Sequence, residues 1–268
     1  MNQSKSESTH MTSPLLVHFI GAGPGDPELI TVKGQRLLKE ADIVIYTGSL
    51  VPKALITGLG ATIYNSAGLS LDEVFAIILQ GYNSGKKVVR LHTGDPSIYG
   101  AINEQIALLN EHDIPFQVIP GVSSATATAA ALQTELTLPE ISQTVIFTRR
   151  TGRTPVPEKE SLDLLASHQA TMMIFLSVGM IKEVVDDLRK GGYPENTPVA
   201  VVEKVSWPEE RKIRGTLATI AELVTEAQIT KTALIAVGRV LTEAPPPVLS
   251  KLYDSTFTHG YRKGVEPQ

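Results

Sequence analysis

A glycine-rich loop near the start of the apolar part of the chain has the composition of a binding site. Residues 21–27, Gly-Ala-Gly-Pro-Gly-Asp-Pro, follow an apolar run and precede a segment with helical spacing. A turn of this kind between a strand and a helix lets a ligand approach the backbone closely. Asp26 stands where a dinucleotide-binding G-x-G-x-x-G motif has its third glycine, and Pro24 lacks the N–H that a phosphate would use. The loop predicts a ligand without phosphates, although an isolated Gly-x-Gly more often marks a plain tight turn.

The rest of the composition argues against several other kinds of chemistry. The 268 residues include no cysteine, so thiolate nucleophiles, thiolate metal sites and disulfides are excluded. The six histidines show no paired ligand spacing, and we expect no metal site. A net charge of -4 disfavours nucleic-acid binding. No apolar run reaches the roughly 18 residues of a membrane span.

Short β-branched runs alternate with longer segments of helical periodicity in the first half of the chain. This alternation predicts a mainly parallel sheet covered by helices. The predicted strands are 15–20, 42–46, 62–64, 87–92 and 116–119, and the predicted helices are 32–40, 71–83 and 98–111.

A second α/β segment follows a small-residue helix at 123–132 and a break at Pro139. Its strands are predicted at 144–148, 172–176, 198–202 and 234–237, and its helices at 180–190 and 220–225. The fold class is therefore α/β, with two domains at 15–139 and 140–242 and mainly parallel or mixed sheets. We expect 1–14 to be a disordered tail or tag remnant and 243–268 to be a C-terminal tail. Because 1–14 lack a signal-peptide pattern, a cytoplasmic protein is expected.

Two ordered motifs resemble the signatures of the tetrapyrrole methylases. The first is Ile20-Gly-Ala-Gly-Pro-Gly-Asp-Pro-Glu-Leu-Ile-Thr-Val-Lys-Gly34. The second consists of Val88, Leu91, Gly94-Asp95, Tyr99-Gly100, Leu109, Phe116, Val118 and Pro120-Gly121. The resemblance extends from about residue 15 to about residue 241. Within the family, 92–105, Arg149, 152–158 and 206–208 resemble the branch that methylates C11 of precorrin-4 in cobalamin biosynthesis.

The resemblance implies a fold, a cofactor and an assembly. Members of the family bind S-adenosylmethionine in a cleft between two α/β domains and act as homodimers. The cofactor contacts carried over by motif are Pro24, Thr93, Gly94, Asp95, Ile98, Ser123, Ser124, Leu176, Val205 and Ala233.

For three of these residues, the type of residue itself suggests a role. Gly94 allows the methionine part of the cofactor to approach the backbone. Asp95 is expected either to accept a hydrogen bond from the cofactor amino group or to hold the N–H groups of its own loop. Ser123 stands at a helix start, where it either meets the ligand or simply caps the helix.

Methyl transfer from a sulfonium requires no protein nucleophile, so we predict no catalytic residue. The tetrapyrrole substrate implied by the resemblance carries many carboxylates, which call for cations. The leading candidates are Arg149, Arg150 and Arg153, followed by Lys204, Arg90 and His92. The cluster at 211–214 is predicted to be a solvated face, with no role in binding.

The sequence is also compatible with other functions. One alternative is a methylase of the same fold that acts at C17 or C20 of a precorrin or on a modified protein histidine, because substrates change readily within a fold. A nicotinamide-dependent oxidoreductase is disfavoured by Asp26 and by the lack of an acidic residue at the end of the second strand. A cofactor-binding regulator without catalysis has no support in the sequence.

Overall fold

A computed structural model describes residues 15–242 and 250–265. These residues form two compact units, with the division between Val122 and Ser123. Both units contain a sheet with flanking helices, so the predicted α/β class is confirmed. The predicted tail at 1–14 lies outside the described residues, as do 243–249 and 266–268.

The first unit contains a parallel sheet of five strands. Its strands are β1 (Val17–Gly21), β2 (Ile43–Tyr46), β3 (Thr62–Asn65), β4 (Val88–His92) and β5 (Phe116–Ile119). Their spatial order is β3-β2-β4-β1-β5. The helices are α1 (Val32–Lys39), α2 (Lys53–Ile56), α3 (Leu71–Asn83) and α4 (Asn103–Glu111). The five strands predicted from the sequence are all present, whereas the short helix α2 was not predicted.

Helices cover both faces of this sheet because its central strands are apolar on both sides. Side chains of α1 and α2 pack with Ile20, Val44 and Leu91 on one face. Side chains of α3 and α4 pack with Phe19 and Ile45 on the other. Successive residues of one strand thus serve opposite cores, as buried parallel strands require.

The connections of the first unit create a switch point between β4 and β1. The chain leaves β1 towards β2 on one side, and it leaves β4 towards β5 on the other. In open α/β sheets the loops that diverge in this way leave room for a ligand at the carboxyl ends of the strands. The loops after β1 and β4 are the two that the sequence motifs single out.

One predicted helix begins later than expected. Helical periodicity placed its start at residue 98, but α4 begins at Asn103. Tyr99 has a φ of 53° and Ala101 a φ of 47°, which a right-handed helix does not accommodate. Residues 95–101 instead form a loop in front of the helix.

The second unit contains a mixed sheet of five strands. Its elements are α5 (Ser124–Ala131), β6 (Val145–Arg149), α6 (Leu162–Ala166), β7 (Thr171–Phe175), α7 (Ile181–Lys190), β8 (Pro198–Glu203), β9 (Arg211–Thr216), α8 (Ile220–Glu226) and β10 (Ala233–Val237). The order is β6-β7-β10-β8-β9, in which β6 and β7 are parallel and the other neighbours antiparallel. Consequently β6, β7 and β8 run in the same direction, and their carboxyl ends lie at the same edge of the sheet.

The small-residue helix α5 belongs to the second unit. The sequence placed it before a boundary near residue 140, but the helix packs against β10, and the division falls at Val122. Alanine side chains let α5 lie close to the sheet, and Ala125, Ala127 and Ala129 are buried.

The cations of β9, Arg211, Lys212 and Arg214, are exposed, as the sequence predicted, and two of them also contact α5. Lys212 donates to the carbonyl of Ala131 at 2.7 Å, and Arg214 donates to that of Leu132 at 2.8 Å. Both carbonyls lie at the C-terminal end of α5, where helix carbonyls lack intrahelical partners. The cations of β9 therefore hold α5 on the sheet.

Within the described residues, no helix is both long and apolar enough to cross a membrane. Part of the predicted C-terminal tail, 250–265, has local order. It contains a single 3₁₀ turn, Lys251–Tyr253, and a bridge between His259 and Arg262.

The core of the second unit provides a test of its packing. Leu188 on α7 is fully buried, and Leu188→Ala is expected to lower the free energy of unfolding by about 2–5 kcal/mol because it leaves a cavity. Leu164→Ala on α6 is the matched control, since Leu164 is 52% exposed. Its effect is expected to stay within about 0.5 kcal/mol. Denaturant titration measures both, and equal losses would contradict this description of the core.

Candidate functional site

Three glycines bring the ends of three adjacent strands together in the first unit. They are Gly21 at the end of β1, Gly94 after β4 and Gly121 after β5. A Cβ on Gly21 would lie 2.5 Å from the carbonyl oxygen of Gly94 and 2.6 Å from the Cα of Gly121. A Cβ on Gly121 would lie 2.1 Å from the same carbonyl oxygen. Contacts this short exclude any side chain at Gly21 or Gly121 unless the backbone moves.

Hydrogen bonds join the two loops at the switch point. Gly94 donates to the carbonyl of Gly23 at 2.8 Å, and Gly23 donates to that of Gly94 at 3.3 Å. Both glycines have positive φ, 79° for Gly23 and 62° for Gly94, a region that glycine enters without steric cost. The loops after β1 and β4 therefore form a single surface of backbone.

Asp26 is used by its own turn. Its Oδ1 accepts the N–H of Glu28 at 2.8 Å and caps the 3₁₀ turn Pro27–Leu29. The next cap is Thr31, which accepts the N–H of Gly34 at the start of α1. Local carboxylate and hydroxyl groups thus occupy N–H groups that a phosphate would need, which agrees with a ligand without phosphates.

Asp95 holds the loop in which it lies. One carboxylate oxygen accepts the N–H of Ser97 at 2.8 Å and also bonds the Ser97 hydroxyl. The other accepts the N–H of Gly121 at 3.0 Å. Of the two roles expected for Asp95, these contacts provide the structural one, and they tie the loop after β4 to the end of β5.

Arg90 and His92 lie on the face of β4 that packs against α3 and α4, and both are almost completely buried, with 4% and 2% exposure. Burial lowers the pKa of Arg90 to about 10. Burial, followed by the charge of Arg90, lowers the pKa of His92 to about 3. The sequence proposed both as substrate contacts. Their burial contradicts this for the free protein, because a guanidinium or imidazole must reach the surface to meet a carboxylate.

Predicted residues of the second unit converge at one edge of its sheet. Arg149 pairs in register with Phe175, which precedes Leu176. Ala233 pairs with Glu203, which precedes Lys204 and Val205. From Arg149 to Ala233 these positions span more than 80 residues of the sequence, and the sheet order places them at the same edge.

Backbone strain accompanies these strand ends. Leu176 has a φ of 52° and is 72% exposed, an unusual combination for a large apolar residue. Lys204 and Ser206, which flank the buried Val205, have φ values of 47° and 64°. Non-glycine residues in this region persist only when their surroundings impose it, and they concentrate at functional sites.

The three arginines after β6 have different environments. Arg149 donates to the carbonyls of Thr154 and Pro155 at 3.0 and 2.7 Å, so it braces its own loop. Arg150 forms an ion pair with Asp187 at 2.6 Å. Arg153 is exposed, and within the described residues no hydrogen bond or ion pair involves its guanidinium. Of the three predicted substrate contacts, Arg153 is the one whose side chain is available.

The helix start at Ser123 is a cap. Its hydroxyl accepts the N–H of Ala125 at 3.2 Å, and its carbonyl accepts the hydroxyl of Thr126. Capping, the simpler of the two roles expected for Ser123, is therefore present. The neighbouring Ser124 is the first residue of α5 and is half-buried.

Comparison with known proteins decides the family. A family model described as Tetrapyrrole (Corrin/Porphyrin) Methylases matches residues 16–221, which is most of the chain. The chain belongs to the tetrapyrrole methylase family. The resemblance carried by the two sequence motifs is thereby confirmed.

Relatives within the tetrapyrrole methylases match over nearly their whole length. The chain is 57% identical to a cobalt-precorrin-4 C(11)-methyltransferase of Methanocaldococcus jannaschii, with 92% of this chain and 96% of the relative covered. It is 47% identical to a precorrin-4 C(11)-methyltransferase of Pseudomonas aeruginosa, with 93% and 100% covered.

Solved structures of tetrapyrrole methylases have the same fold. The X-ray structure of a cobalamin biosynthetic enzyme, cobalt precorrin-4 methyltransferase, superposes with a TM-score of 0.83 at 46% identity and covers 85% of this chain and 96% of its own. A uroporphyrin-III C-methyl transferase from Thermus thermophilus, complexed with S-adenyl homocysteine, gives a TM-score of 0.72 at 28% identity, with 84% and 98% covered.

Adding a single methyl group tests the close contact between Gly21, Gly94 and Gly121 in this tetrapyrrole methylase. Gly21→Ala forces a Cβ against the backbones of Gly94 and Gly121, and we expect a loss of about 1–3 kcal/mol in the free energy of unfolding. Gly68→Ala is the control because no atom lies within 4 Å of its Cβ position. Denaturant titration measures both variants. A Gly21→Ala protein as stable as the Gly68→Ala control would show that the glycine contact is not constrained.

The buried His92 is expected to make the stability of the folded protein sensitive to acid. Its folded pKa of about 3 lies below the ordinary value of 6.5, so between these pH values only the unfolded chain binds the proton. The contribution of His92 to the free energy of unfolding is complete above pH 6.5 and decreases as the pH falls towards 3. Between pH 7 and pH 5 this loss amounts to about 2 kcal/mol.

Replacement of His92 measures this contribution. His92→Phe removes the titrating group. Between pH 7 and pH 5, the free energy of unfolding of this variant is expected to fall by about 2 kcal/mol less than that of the wild type. His168→Phe, which replaces an exposed histidine, is the control for the exchange of a histidine for a phenylalanine. Urea titrations at the two pH values provide the comparison. Equal pH dependence in wild type and His92→Phe would contradict the assignment.

Proposed function

We propose that this protein is an S-adenosylmethionine-dependent methyltransferase that methylates C11 of precorrin-4 or cobalt-precorrin-4 in cobalamin biosynthesis. The observation that carries the proposal is the match, over more than nine-tenths of this chain, to relatives named for that reaction. Sequence motifs pointed to the same branch of the family independently of those names.

The geometry of the first unit supports a cofactor of this type. The loops at the switch point offer a surface of glycine backbone, and the acceptors Asp26, Thr31 and Asp95 already bind the nearby N–H groups. A ligand with phosphates would compete with these carboxylates, whereas the amino-acid and nucleoside parts of S-adenosylmethionine would not. A nicotinamide dinucleotide is disfavoured for the same reason.

The cofactor contacts proposed for each unit follow from these positions. In the first unit they are Pro24, Thr93, Gly94, Asp95 and Ile98, around the bridge between Gly23 and Gly94. In the second unit they are Ser123, Ser124, Leu176, Val205 and Ala233, of which the last three lie at the convergent edge of the sheet. The strained, exposed Leu176 is suited to form an apolar wall.

Methyl transfer makes limited demands on the protein. When bound, S-adenosylmethionine would supply an electrophilic methyl group, which a ring carbon would accept with electrons of the tetrapyrrole nitrogen system while the sulfur leaves as a neutral thioether. The chain must align the two reactants and keep the site dry, because the positive charge would leave the sulfur and spread over the ring system of the substrate. No protein nucleophile enters this scheme.

A direct assay tests the proposal. Purified protein is incubated with S-adenosylmethionine and either metal-free or cobalt-loaded precorrin-4, and the product is analysed by mass spectrometry and NMR. We expect one added methyl group, located at C11. Methylation at C17 or C20 would replace the proposed position, and the absence of methylation with both substrates would overturn the function. Light scattering tests the homodimer that the family resemblance implies.

Arg153 is proposed to bind a substrate carboxylate. Arg153→Ala is expected to raise the KM for the tetrapyrrole about tenfold or more, since a desolvated charge-assisted hydrogen bond contributes about 1.5–3 kcal/mol. Affinity for S-adenosylhomocysteine is expected to stay unchanged. The matched control is Arg36→Ala, which removes a cation from the exposed side of α1.

Steady-state kinetics at low ionic strength provides the measurement, because surface charges are screened least there. Equal KM values for the Arg153→Ala and Arg36→Ala proteins would assign Arg153 to the solvated surface. Lys204, at the convergent edge of the second sheet, would then be the next candidate for a substrate carboxylate.

A further inference from the structure

The guanidinium of Arg90 is buried among neutral groups. Its Nε donates to Oε1 of Gln105 at 2.7 Å, and its Nη1 donates to the carbonyl of Ile45 at 3.0 Å and the hydroxyl of Ser66 at 3.2 Å. Within the described residues, no carboxylate forms an ion pair with it. A buried cation without a counter-ion is costly, so this position must need what arginine provides.

Arginine provides donors only, and this property fixes the orientation of Gln105. The amide of a glutamine can present either its oxygen or its nitrogen to a neighbour. Because a guanidinium cannot accept, the amide oxygen must face Arg90 and the amide nitrogen must face the other way. That nitrogen donates to the carbonyl of Ala101 at 3.0 Å. Gln105 is 6% exposed, which leaves little freedom for another arrangement.

Ala101 ends the loop that follows β4, and this loop is under strain. Tyr99 and Ala101 both have positive φ. A Cβ on Gly100 would lie 2.1 Å from the carbonyl oxygen of Pro96, so the loop folds tightly back on itself. Asp95 anchors its near end through Ser97 and Gly121, as described above. The far end, at Ala101, is held by Gln105.

We propose that Arg90 and Gln105 are positioning residues that set the far end of loop 94–101. Arg90 orients the Gln105 amide, and the amide holds the Ala101 carbonyl. The role in binding rests on the proposed function, which assigns this loop to the cofactor. Arg90, which the sequence suggested as a substrate contact, thus acts on the cofactor side of the reaction and from the interior of the unit.

A purely structural role for Arg90 would use its other contacts. Through Ile45 and Ser66, the guanidinium also joins β4 to β2 and to the end of β3. Loss of those contacts would lower stability without a specific effect on the loop. The two roles are separated by variants that break one set of contacts and leave the other intact.

Gln105→Glu breaks only the contact to the loop. A carboxylate still accepts from Arg90 and supplies the missing counter-ion, but it cannot donate to the carbonyl of Ala101. We expect thermal stability equal to or above that of the wild type. Affinity for S-adenosylhomocysteine is expected to fall about tenfold, which corresponds to about 1.4 kcal/mol. Amide hydrogen exchange in residues 95–102 is expected to accelerate.

Two further variants complete the comparison. Ser66→Ala removes a hydrogen bond of Arg90 and leaves Gln105 and Ala101 in contact, so it is expected to keep wild-type affinity and wild-type exchange in the loop. Gln105→Met removes both contacts of the amide while keeping its approximate size. We expect it to lose both stability and affinity.

Calorimetric titration with S-adenosylhomocysteine and hydrogen exchange of the ligand-free protein are measured on all four proteins. Unchanged exchange of residues 95–102 in Gln105→Glu would overturn the inference, whatever the wild type binds. Wild-type affinity in Gln105→Glu would overturn the role in binding. If the wild type itself fails to bind S-adenosylhomocysteine, the proposed cofactor is wrong, and accelerated exchange in Gln105→Glu would still support the positioning of the loop.

Discussion

The close approach of three backbones at the ends of β4, β1 and β5 is the constraint on which the first unit depends. Gly21 and Gly121 lie so near the carbonyl of Gly94 that neither position accepts a methyl group. This contact lets the loops at the switch point join through Gly23 and Gly94. The surface that results consists of backbone and is specific in shape, which suits a ligand recognised without phosphates.

Polar side chains near this contact form hydrogen bonds to backbone groups of the surrounding loops. Asp95 binds two loops, Asp26 and Thr31 cap successive turns, and Gln105 reaches the carbonyl of Ala101. In a reaction that needs alignment and no protein nucleophile, rigidity of the surrounding loops is a direct contribution to the rate. Side chains of the second unit also bind backbone carbonyls: Arg149 braces its own loop, and cations of β9 hold α5.

Each unit brings several strand ends to one edge of its sheet, but the two sheets do so with different strand directions. In the first, parallel strands bring all carboxyl ends to one edge. In the second, antiparallel β10 lies between β7 and β8, so the carboxyl ends of β7 and β8 and the amino end of β10 share an edge. Positive φ values at Leu176, Lys204 and Ser206 show that backbone strain is present at that edge.

The sequence by itself determined the family, the α/β class and the positions of the first five strands, because glycine spacing and buried apolar runs are local signals. It also placed Gly94 and Asp95 directly after a strand, where the structure has them. The tertiary structure decided which polar side chains are available. Arg90 and His92 are buried, Arg149 and Arg150 are used internally, and Arg153 remains exposed. These outcomes depend on neighbours that are distant along the chain, such as Gln105 for Arg90 and Asp187 for Arg150, and no local pattern reveals them.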